Sequence, residues 1–316
     1  MSNWVIGVIG GSGLYEIDGL EEAREVTVET PWGDPSDTLV RGHVGDVEFV
    51  FLPRHGKGHR LTPSTVPYQA NIDALKRLGC TDVLSISACG SLQEQYAPGD
   101  FVMVDQFIDR TFAREKTFFG PGMVAHVSVA EPICSRLSGL AEAAAKDAGA
   151  NVHTGGTYLT MEGPQFSSRA ESQLYRQWNC DVIGMTNMPE AKLAREAELP
   201  YATIAMVTDY DCWRADEDHV EVTNVLEIMA ANTAKAKATV GQLAAALQGV
   251  PRTPSPQGIE TCLDYAMITA PEARDLTVVA KLDAVAGRVL GNQVTPTDKT
   301  RSFTEESSCD SAGLRL

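Results

Sequence analysis

The chain has 316 residues, 43% of them hydrophobic, which is enough for one large domain or two small ones with a substantial core. Its 42 acidic residues outnumber 26 basic ones, and the resulting net charge of -16 argues against a surface built for nucleic acids or anionic membranes. A small anionic ligand stays compatible with this charge, because it needs only a local cluster of donors.

The cysteines and the N-terminal residues bear on the compartment of the protein. The seven cysteines are scattered and include no C-x-x-C motif, which favours reduced thiols over a disulfide framework or a zinc site. No basic region followed by an apolar region opens the chain, and no apolar run approaches the ~20 residues of a membrane helix. We therefore expect a soluble, cytoplasmic protein.

Strand-like and helix-like segments alternate along the first 247 residues. Strands are predicted at residues 4–9, 25–28, 38–44, 47–52, 82–87, 101–104, 157–161, 181–184 and 201–207. Helices are predicted at residues 64–78, 132–148, 168–178, 189–198 and 220–247. This alternation predicts an α/β fold with a mixed, mostly parallel central sheet flanked by helices.

The C-terminal part of the chain differs in character. Residues 249–256 are rich in proline and read as a linker, and residues 259–267 and 273–290 are predicted to form two helices too small for a core of their own. Residues 292–316 are polar and lack periodicity, so we expect them to be disordered. The predicted organisation is a main domain of residues 1–248, a linker with a helical extension at 249–291, and a tail at 292–316.

A glycine-rich loop, Gly10-Gly11-Ser12-Gly13, follows the first predicted strand. Glycines let backbone N–H groups approach an anion closely, and Ser12 adds a hydroxyl. A dinucleotide-binding fingerprint is an alternative, but its third glycine would fall at Glu16, so that pattern fails. A tight structural turn without a ligand stays open at this point.

A basic stretch, residues 53–60, stands out in an otherwise acidic chain and holds five possible cations. Arg54 is suited to grip an oxyanion through two N–H donors, and His55 is close enough in sequence to add another donor. The alternative is an ordinary solvated basic loop.

Two carboxylates two residues apart, Asp209 and Asp211, end the apolar run of the last predicted strand. In a strand, residues i and i+2 point the same way, so both acids should converge on one spot. Two neighbouring acids partly out of water cannot both ionise cheaply, so one pKa is expected to rise. A donor and an acceptor side by side match the N7 and amino edge of adenine. A solvated loop or a helix cap is the alternative.

Two further segments offer contacts for a flat, partly apolar ligand. Gly163-Pro164 predicts a turn, and Ser168 with Glu171 makes a capping box that holds Phe166 at the mouth of a helix. Phe166 there suits stacking on a base, although core packing is the alternative. A stripe on the last long helix suits either the core or the apolar end of a pocket, and consists of Val222, Val225 and Leu226.

Taken in order, six motifs make a specific set: GGSGL, RHGKGH, SACGSL, TMEGPQFSSRAES, GMTNMPEA and VTDYDCW. From about residue 4 to residue 247 the chain resembles the purine nucleoside phosphorylase superfamily, and within it the members that act on 5'-methylthioadenosine. The resemblance implies a nucleoside phosphorylase fold for residues 1–248 and a homo-oligomer, either a trimer or a dimer of trimers.

The resemblance also assigns roles to the matching residues. Phosphate would be held by Ser12, Arg54, His55, Ser87, the backbone N–H of Ala88, and Thr186. Met185 would lie under the ribose, the base would meet Phe166, Ser167, Thr208, Asp209 and Asp211, and the 5'-methylthio group would meet Val222, Val225 and Leu226. His126 would enter from a neighbouring subunit, although its own sequence context is that of an ordinary structural histidine.

The implied reaction is phosphorolysis of 5'-methylthioadenosine, with phosphate as co-substrate and no other cofactor or metal. Asp209 is the candidate general acid and Asp211 its partner, while the location of the shared proton stays open. The alternatives are a phosphorylase for 6-oxopurine nucleosides, a nucleosidase that uses water, and a nucleoside-binding protein without catalysis. Neither a nucleic acid nor a membrane is an expected partner.

Overall fold

The computed structural model describes residues 4–11, 14, 17–214 and 222–291, with only the backbone described for residues 222–226. Within these residues, eleven strands form one mixed, mostly parallel sheet. The strands are β1 (Val5–Gly10), β2 (Glu21–Val26), β3 (Leu39–Val44), β4 (Val47–Pro53), β5 (Asp82–Ser91), β6 (Phe101–Met103), β7 (Gln106–Asp109), β8 (Val152–Thr154), β9 (Thr157–Thr160), β10 (Val182–Gly184) and β11 (Tyr201–Asp209). The predicted fold class is confirmed.

The helices cover a sheet whose central strands are almost entirely buried. They are α1 (Tyr68–Arg77), α2 (Ser135–Asp147), α3 (Arg169–Gln177), α4 (Asn187–Glu196), α5 (Val222–Leu247), α6 (Leu276–Lys281) and α7 (Asp283–Leu290). Helices α2, α4 and α5 pack against β11, and α1 packs against α4. None of the described helices is both long and apolar enough to cross a membrane.

The centre of the sheet is the parallel set β4, β1, β5 and β11, in that spatial order. Because β1 pairs with both β4 and β5 in parallel, the carboxyl ends of these strands meet at one edge. Nearly continuous apolar sequence in β1 and β11 fits this position, since a strand buried on both faces has no polar side. This edge carries the candidate site.

The prediction that the fifth strand ends before Ala88 is wrong. Strand β5 continues through Ala88 and Gly90 to Ser91, where its last residues pair antiparallel with β10. The small residues at this point suggested the end of a strand, but they allow β10 to pack closely on β5. Gly90 leaves the space for Ile183, since a methyl group on Gly90 would lie only 3.2 Å from Ile183 Cγ2. Strands β7 and β8 were not predicted, because they are short and only partly buried.

The predicted helix at residues 259–267 is also wrong, although Ile259, Leu263 and Ala266 are buried. Only Ile259–Thr261 forms a 3₁₀ turn, and the following residues continue as tight turns. Tertiary contacts take over the backbone here: Leu263 N–H donates to Glu198 Oε1 at 3.1 Å, and Met267 bridges to Ala125. The predicted helix at 273–290 is divided into α6 and α7 at Leu282.

The segment interpreted as a linker lies against the main domain. Trp4 Nε1 donates to the carbonyl of Val250 at 2.8 Å, and Arg252 Nε donates to the buried Asp82 at 2.6 Å. Several buried residues of the extension belong to the main hydrophobic core: Ile259, Leu263, Ala266, Val279, Leu282, Val285, Ala286 and Leu290. Residues 292–316, predicted to be disordered, lie outside the described residues.

Candidate functional site

The carboxyl ends of the central strands bring together the segments that the sequence singled out. Gly10 at the end of β1 pairs with Pro53 at the end of β4, and Arg54 N–H donates to the Gly10 carbonyl at 2.9 Å. The basic stretch therefore begins directly beside the glycine loop. Ser12 and Gly13 of that loop lie outside the described residues.

Arg54 is buried and its guanidinium is tied on several sides. Its Nε donates to Glu190 Oε2 at 2.7 Å and its Nη2 to Glu190 Oε1 at 3.0 Å, while Nη2 also donates to Ser85 Oγ at 2.6 Å. Burial lowers the pKa of Arg54, but the adjacent Glu190 carboxylate more than compensates, so the pKa ends above its usual value. Arg54 is a fixed cation, whereas a solvated loop would leave it mobile.

Glu190 was missed by the sequence analysis. It follows Pro189 in the first turn of α4, where an acidic residue is common and carries no special signal. Only the fold brings it to Arg54, 136 residues away in sequence. Its two carboxylate oxygens accept hydrogen bonds from Arg54, Ser85 and Tyr201.

His55 does not offer a ligand the free hydrogen-bond donor that the sequence suggested. Its Nδ1 lies 2.8 Å from the carbonyl oxygen of Leu61, and because a carbonyl only accepts, Nδ1 carries the hydrogen. Burial lowers the pKa of His55 to about 4, so the ring is neutral at physiological pH. Nε2 is then an acceptor, suited to a phosphate oxygen that still carries a proton. The ring stacks on His59, with centroids 4.2 Å apart.

Ser87, Ala88 and Thr186 come from two adjoining elements. Ser87 and Ala88 lie near the end of β5, and Thr186 lies directly after β10 and caps α4 without a side-chain hydrogen bond to that helix. The Thr186 hydroxyl is therefore not used by the cap. Ser87 Oγ donates to Asn187 Oδ1 at 2.9 Å, which joins the two elements.

Asp209 and Asp211 both lie over Gly90, but the predicted reason is wrong: β11 ends at Asp209, and a turn rather than strand alternation places Asp211 there. A methyl group on Gly90 would lie 3.0 Å from Asp209 Oδ1 and 3.4 Å from Asp211 Cβ. Asp209 Oδ2 accepts from Thr208 Oγ1 at 2.7 Å, and Asp209 Oδ1 accepts from the backbone N–H of Asp211 at 2.8 Å. The acids are thus held by a turn in which Asp211 has a positive φ of 52°.

The pKa of Asp211 is raised, but for a different reason from the one predicted. Burial is the main cause, and the hydroxyls of Ser172 and Ser167 offset part of it. Within the described part of the chain, Asp211 Oδ2 is buried without a hydrogen-bond partner. A buried carboxyl with an unpaired oxygen is suited to hold a proton or to meet a donor on a ligand.

Phe166 and Ser167 lie on a loop anchored at both ends. The capping box at Ser168 is confirmed, with reciprocal hydrogen bonds between Ser168 and Glu171 that begin α3. Cys212 Sγ lies 3.2 Å from the carbonyl oxygen of Ser167, which links this loop to the segment of the acid pair. Phe166 is 52% exposed, so it is not a core residue in this chain.

Met185 is held by an arginine that the sequence analysis missed. Arg114 Nη1 donates to the carbonyls of Met185 at 2.6 Å and Met188 at 2.7 Å, and its Nη2 donates to that of Glu162 at 2.7 Å. Glu162 Oε1 pairs with Arg114 Nε at 3.1 Å. Arg114 thereby joins the loop before Phe166 to the loop of Met185. Nothing in the local sequence of Arg114 marks this role.

One described residue among those predicted for the site, His126, is not brought together with the others. His126 is exposed on an extended segment whose backbone pairs with Ala266 at 2.9 Å, and none of its described hydrogen bonds reaches the residues above. The side chains of Val222, Val225 and Leu226 lie outside the described residues, as does Ser12.

The chain is similar to known proteins over most of its length. A model of the phosphorylase superfamily matches residues 5–243. S-methyl-5'-thioadenosine phosphorylase of Cereibacter sphaeroides is 61% identical over 286 residues, covering 90% of this chain and 98% of that protein. The enzyme of the same name from Rhodospirillum rubrum is 59% identical, covering 91% and 97%.

Solved structures give the same result. The crystal structure of a methylthioadenosine phosphorylase from an antarctic soil metagenomic library is similar with a TM-score of 0.84 and 46% identity, covering 90% of this chain and 99% of that chain. A methylthioadenosine phosphorylase from Schistosoma mansoni in complex with adenine is similar with a TM-score of 0.75 and 42% identity, covering 83% and 98%.

Proposed function

This chain belongs to the phosphorylase superfamily, and we propose that it cleaves 5'-methylthioadenosine with phosphate to give adenine and 5-methylthioribose-1-phosphate. It is a pentosyltransferase of purine and methionine salvage. One juxtaposition carries the proposal: a buried arginine and an acid pair lie beside the same strand, β5, the arginine near its middle and the acid pair near its carboxyl end. Ser85 of β5 lies 2.6 Å from Arg54 Nη2, and Gly90 of the same strand underlies Asp209 and Asp211.

The phosphate half of the proposed site consists of donors around one fixed cation. Arg54 supplies charge, and the neutral ring of His55 accepts from a protonated phosphate oxygen. The other proposed ligands are Ser12, Ser87, the backbone N–H of Ala88, and Thr186. Phosphate is the nucleophile, and its negative charge also stabilises the positive charge that develops on the sugar as the glycosidic bond breaks.

The nucleoside half supplies a proton and a flat apolar surface. Adenine leaves poorly as an anion, so N7 must be protonated or strongly hydrogen-bonded in the transition state. Asp209 is the proposed general acid, and Asp211 orients Asp209 and reads the amino group. The remaining proposed contacts are Phe166, Ser167 and Thr208 at the base, Met185 at the ribose, and Val222, Val225 and Leu226 at the 5'-methylthio group. The reaction so written needs phosphate as co-substrate and no other cofactor.

The experiment is a measurement of adenine release from 5'-methylthioadenosine with and without inorganic phosphate. We expect release that requires phosphate and yields a sugar 1-phosphate in equal amount. Adenosine and inosine, assayed in parallel, test the base and the 5' group. An apolar 5' pocket predicts a higher kcat/KM for 5'-methylthioadenosine than for adenosine.

Each alternative function has its own outcome in this assay. Release that continues without phosphate identifies a nucleosidase, and preferred turnover of inosine identifies a 6-oxopurine phosphorylase. Binding of the nucleoside without turnover identifies a nucleoside-binding protein. Two carboxylates at the base edge favour adenine, because the O6 atom of a 6-oxopurine accepts hydrogen bonds and requires a donor.

We also propose a homo-oligomer, either a trimer or a dimer of trimers, located in the cytoplasm. Exposed apolar side chains on the segments around His126 support an interface, among them Val124, Val129, Tyr265 and Ile268. His126 would then reach the site of a neighbouring subunit. The six described cysteines are all free, which fits a reducing compartment.

A further inference from the structure

We propose that Glu190 is a positioning residue that fixes the Arg54 guanidinium in the orientation required to bind phosphate. The inference rests on the proposed function, because it assigns a use to Arg54. It starts from a buried network at the end of the central strands, in which Glu190 is the acceptor that four hydrogen bonds from Arg54, Ser85 and Tyr201 share.

The geometry of the ion pair sets the direction of the guanidinium. Glu190 engages the Nε and Nη2 edge of Arg54 with both oxygens, at 2.7 and 3.0 Å. This two-point contact permits a single orientation of the planar group. Nη1 donates to the Ile86 carbonyl at 3.2 Å, and since Nη1 has two hydrogens, a second N–H stays available to a ligand.

The same network continues to a second proposed phosphate ligand. Tyr201 Oη donates to Glu190 Oε1 at 2.9 Å and accepts from Asn187 Nδ2 at 2.9 Å. Asn187 Oδ1 accepts from Ser87 Oγ at 2.9 Å. Glu190 is thus connected through two buried side chains to Ser87, so one carboxylate helps to set the relative positions of Arg54 and Ser87.

The direction in which phosphate affinity changes in Glu190→Gln distinguishes a positioning role of Glu190 from a role of its charge alone. Arg54 and Glu190 are both buried, and together they carry no net charge. Replacing Glu190 with glutamine leaves Arg54 as an uncompensated cation, which by charge alone would bind phosphate more tightly. If Glu190 acts by positioning, the same replacement turns the guanidinium away and phosphate binds more weakly.

The test uses two variants and two measurements with inorganic phosphate as the probe. For Glu190→Gln we expect the KM for phosphate to rise at least about 10-fold, the KM for 5'-methylthioadenosine to change less than about 2-fold, and kcat/KM for phosphate to fall about 100-fold. Ser85→Ala removes a hydroxyl that contacts both partners, and we expect a smaller change of the same kind. Ser85→Ala keeps the test possible if Glu190→Gln does not fold.

The second measurement does not depend on turnover. Phosphate that binds the native protein raises its Tm, and we expect this rise in the wild-type protein and its loss in Glu190→Gln. The matched control is Asp82→Asn, because Asp82 is a fully buried carboxylate at the first residue of β5 that is paired with two other arginines, Arg136 and Arg252. Asp82→Asn should lower Tm while both KM values stay at their wild-type levels.

The inference would be overturned by a phosphate KM that is unchanged or lower in Glu190→Gln, by equal protection of both proteins by phosphate, or by no protection of the wild type. A kinetic change equal for both substrates and equal to that of Asp82→Asn would also overturn it. Failure of the proposed function looks different. The wild type would then release no adenine with phosphate, while phosphate protection that is lost in Glu190→Gln would still support positioning.

Discussion

At the scale of single residues, the acid pair Asp209 and Asp211 is the clearest case. Repulsion between the two acids was expected to raise one pKa, but burial is the main cause of the raised pKa of Asp211. The spacing of Asp209 and Asp211 predicts that they converge, and they do so over Gly90. The backbone N–H of Asp211 and the Thr208 hydroxyl both stabilise Asp209 as an acceptor. Burial instead raises the pKa of Asp211. The two neighbouring carboxyls therefore have different surroundings.

The first prediction concerns Asp209. For Asp209→Asn we expect kcat with 5'-methylthioadenosine to fall at least about 100-fold, the low end for loss of a general acid. The amide also donates a hydrogen bond, so relative activity toward 6-oxopurine nucleosides should rise. Steady-state assays with both substrate classes measure this. Asp211→Asn is the comparison, because a general acid must be protonated and its ionisation produces the alkaline limb of the pH profile of kcat. A profile that loses its alkaline limb only in Asp211→Asn would move the proton to Asp211.

The second prediction concerns the pH dependence of stability through His55. Its folded-state pKa is lowered to about 4 from 6.5, mainly by burial, so between these values the unfolded chain binds more protons. Stability should therefore fall as the pH falls through this window, by up to about 3 kcal/mol from this residue.

Denaturant unfolding of the wild type and of His55→Asn at several pH values measures the contribution of His55. Asparagine keeps a donor for the Leu61 carbonyl but does not titrate. We expect the stability difference between the two proteins to shift against the wild type as the pH approaches 4. A constant difference over the whole range would show that the ring is not buried in its neutral form.

At the scale of elements, local patterns gave correct helices and strands wherever one face was buried against the sheet. Helix α3 begins at the capping box that its sequence predicts, because both hydrogen bonds are local. Residues 259–267 have the apolar spacing of a helix but form tight turns, since Glu198 and Ala125 bind their backbone. Tertiary hydrogen bonds decide the conformation of a short segment whose helical propensity is weak.

The third prediction concerns the C-terminal extension. Leu282, between α6 and α7, is 0% exposed within the main core, so Leu282→Ala should lower the free energy of unfolding by about 2–5 kcal/mol. Leu276→Ala is the matched control, because Leu276 in α6 is 71% exposed and its loss should change stability by less than about 0.5 kcal/mol. Denaturant unfolding measures both, and equal effects would mean that the extension does not share the core.

At the scale of the whole molecule, the mixed sheet gathers residues that are far apart in the sequence. Arg54 and Glu190 are 136 residues apart, and Arg114 and Met185 are 71 apart, yet each pair is in direct contact. The parallel arrangement of β4, β1, β5 and β11 brings Arg54 to Glu190, and the parallel pairing of β7, β9 and β10 brings the loop of Arg114 to the loop of Met185. His126 is the exception, because it is exposed and its described hydrogen bond goes to Ala266 and not to these residues.

The fourth prediction follows from that position. Size-exclusion chromatography with light scattering should show a trimer or a hexamer in solution. His126→Ala should keep that size but raise the KM for 5'-methylthioadenosine about 10-fold, the value of one hydrogen bond. Ser128→Ala, in the same exposed segment, is the control for a general disturbance of the surface. A monomer with wild-type KM would remove His126 from the site.

The sequence by itself determined the fold class, the order of most elements, and the segments that make up the candidate site. Hydrophobic periodicity, glycine turns and the capping box are local properties, and the motifs around Arg54, Phe166 and Asp209 are contiguous. Only the tertiary structure decided which other side chains and backbone groups contact those residues. Glu190 and Arg114 act through contacts between distant elements, and His55 is neutral because of its burial. Burial and long-range hydrogen bonds depend on the packed sheet, so no local pattern encodes them.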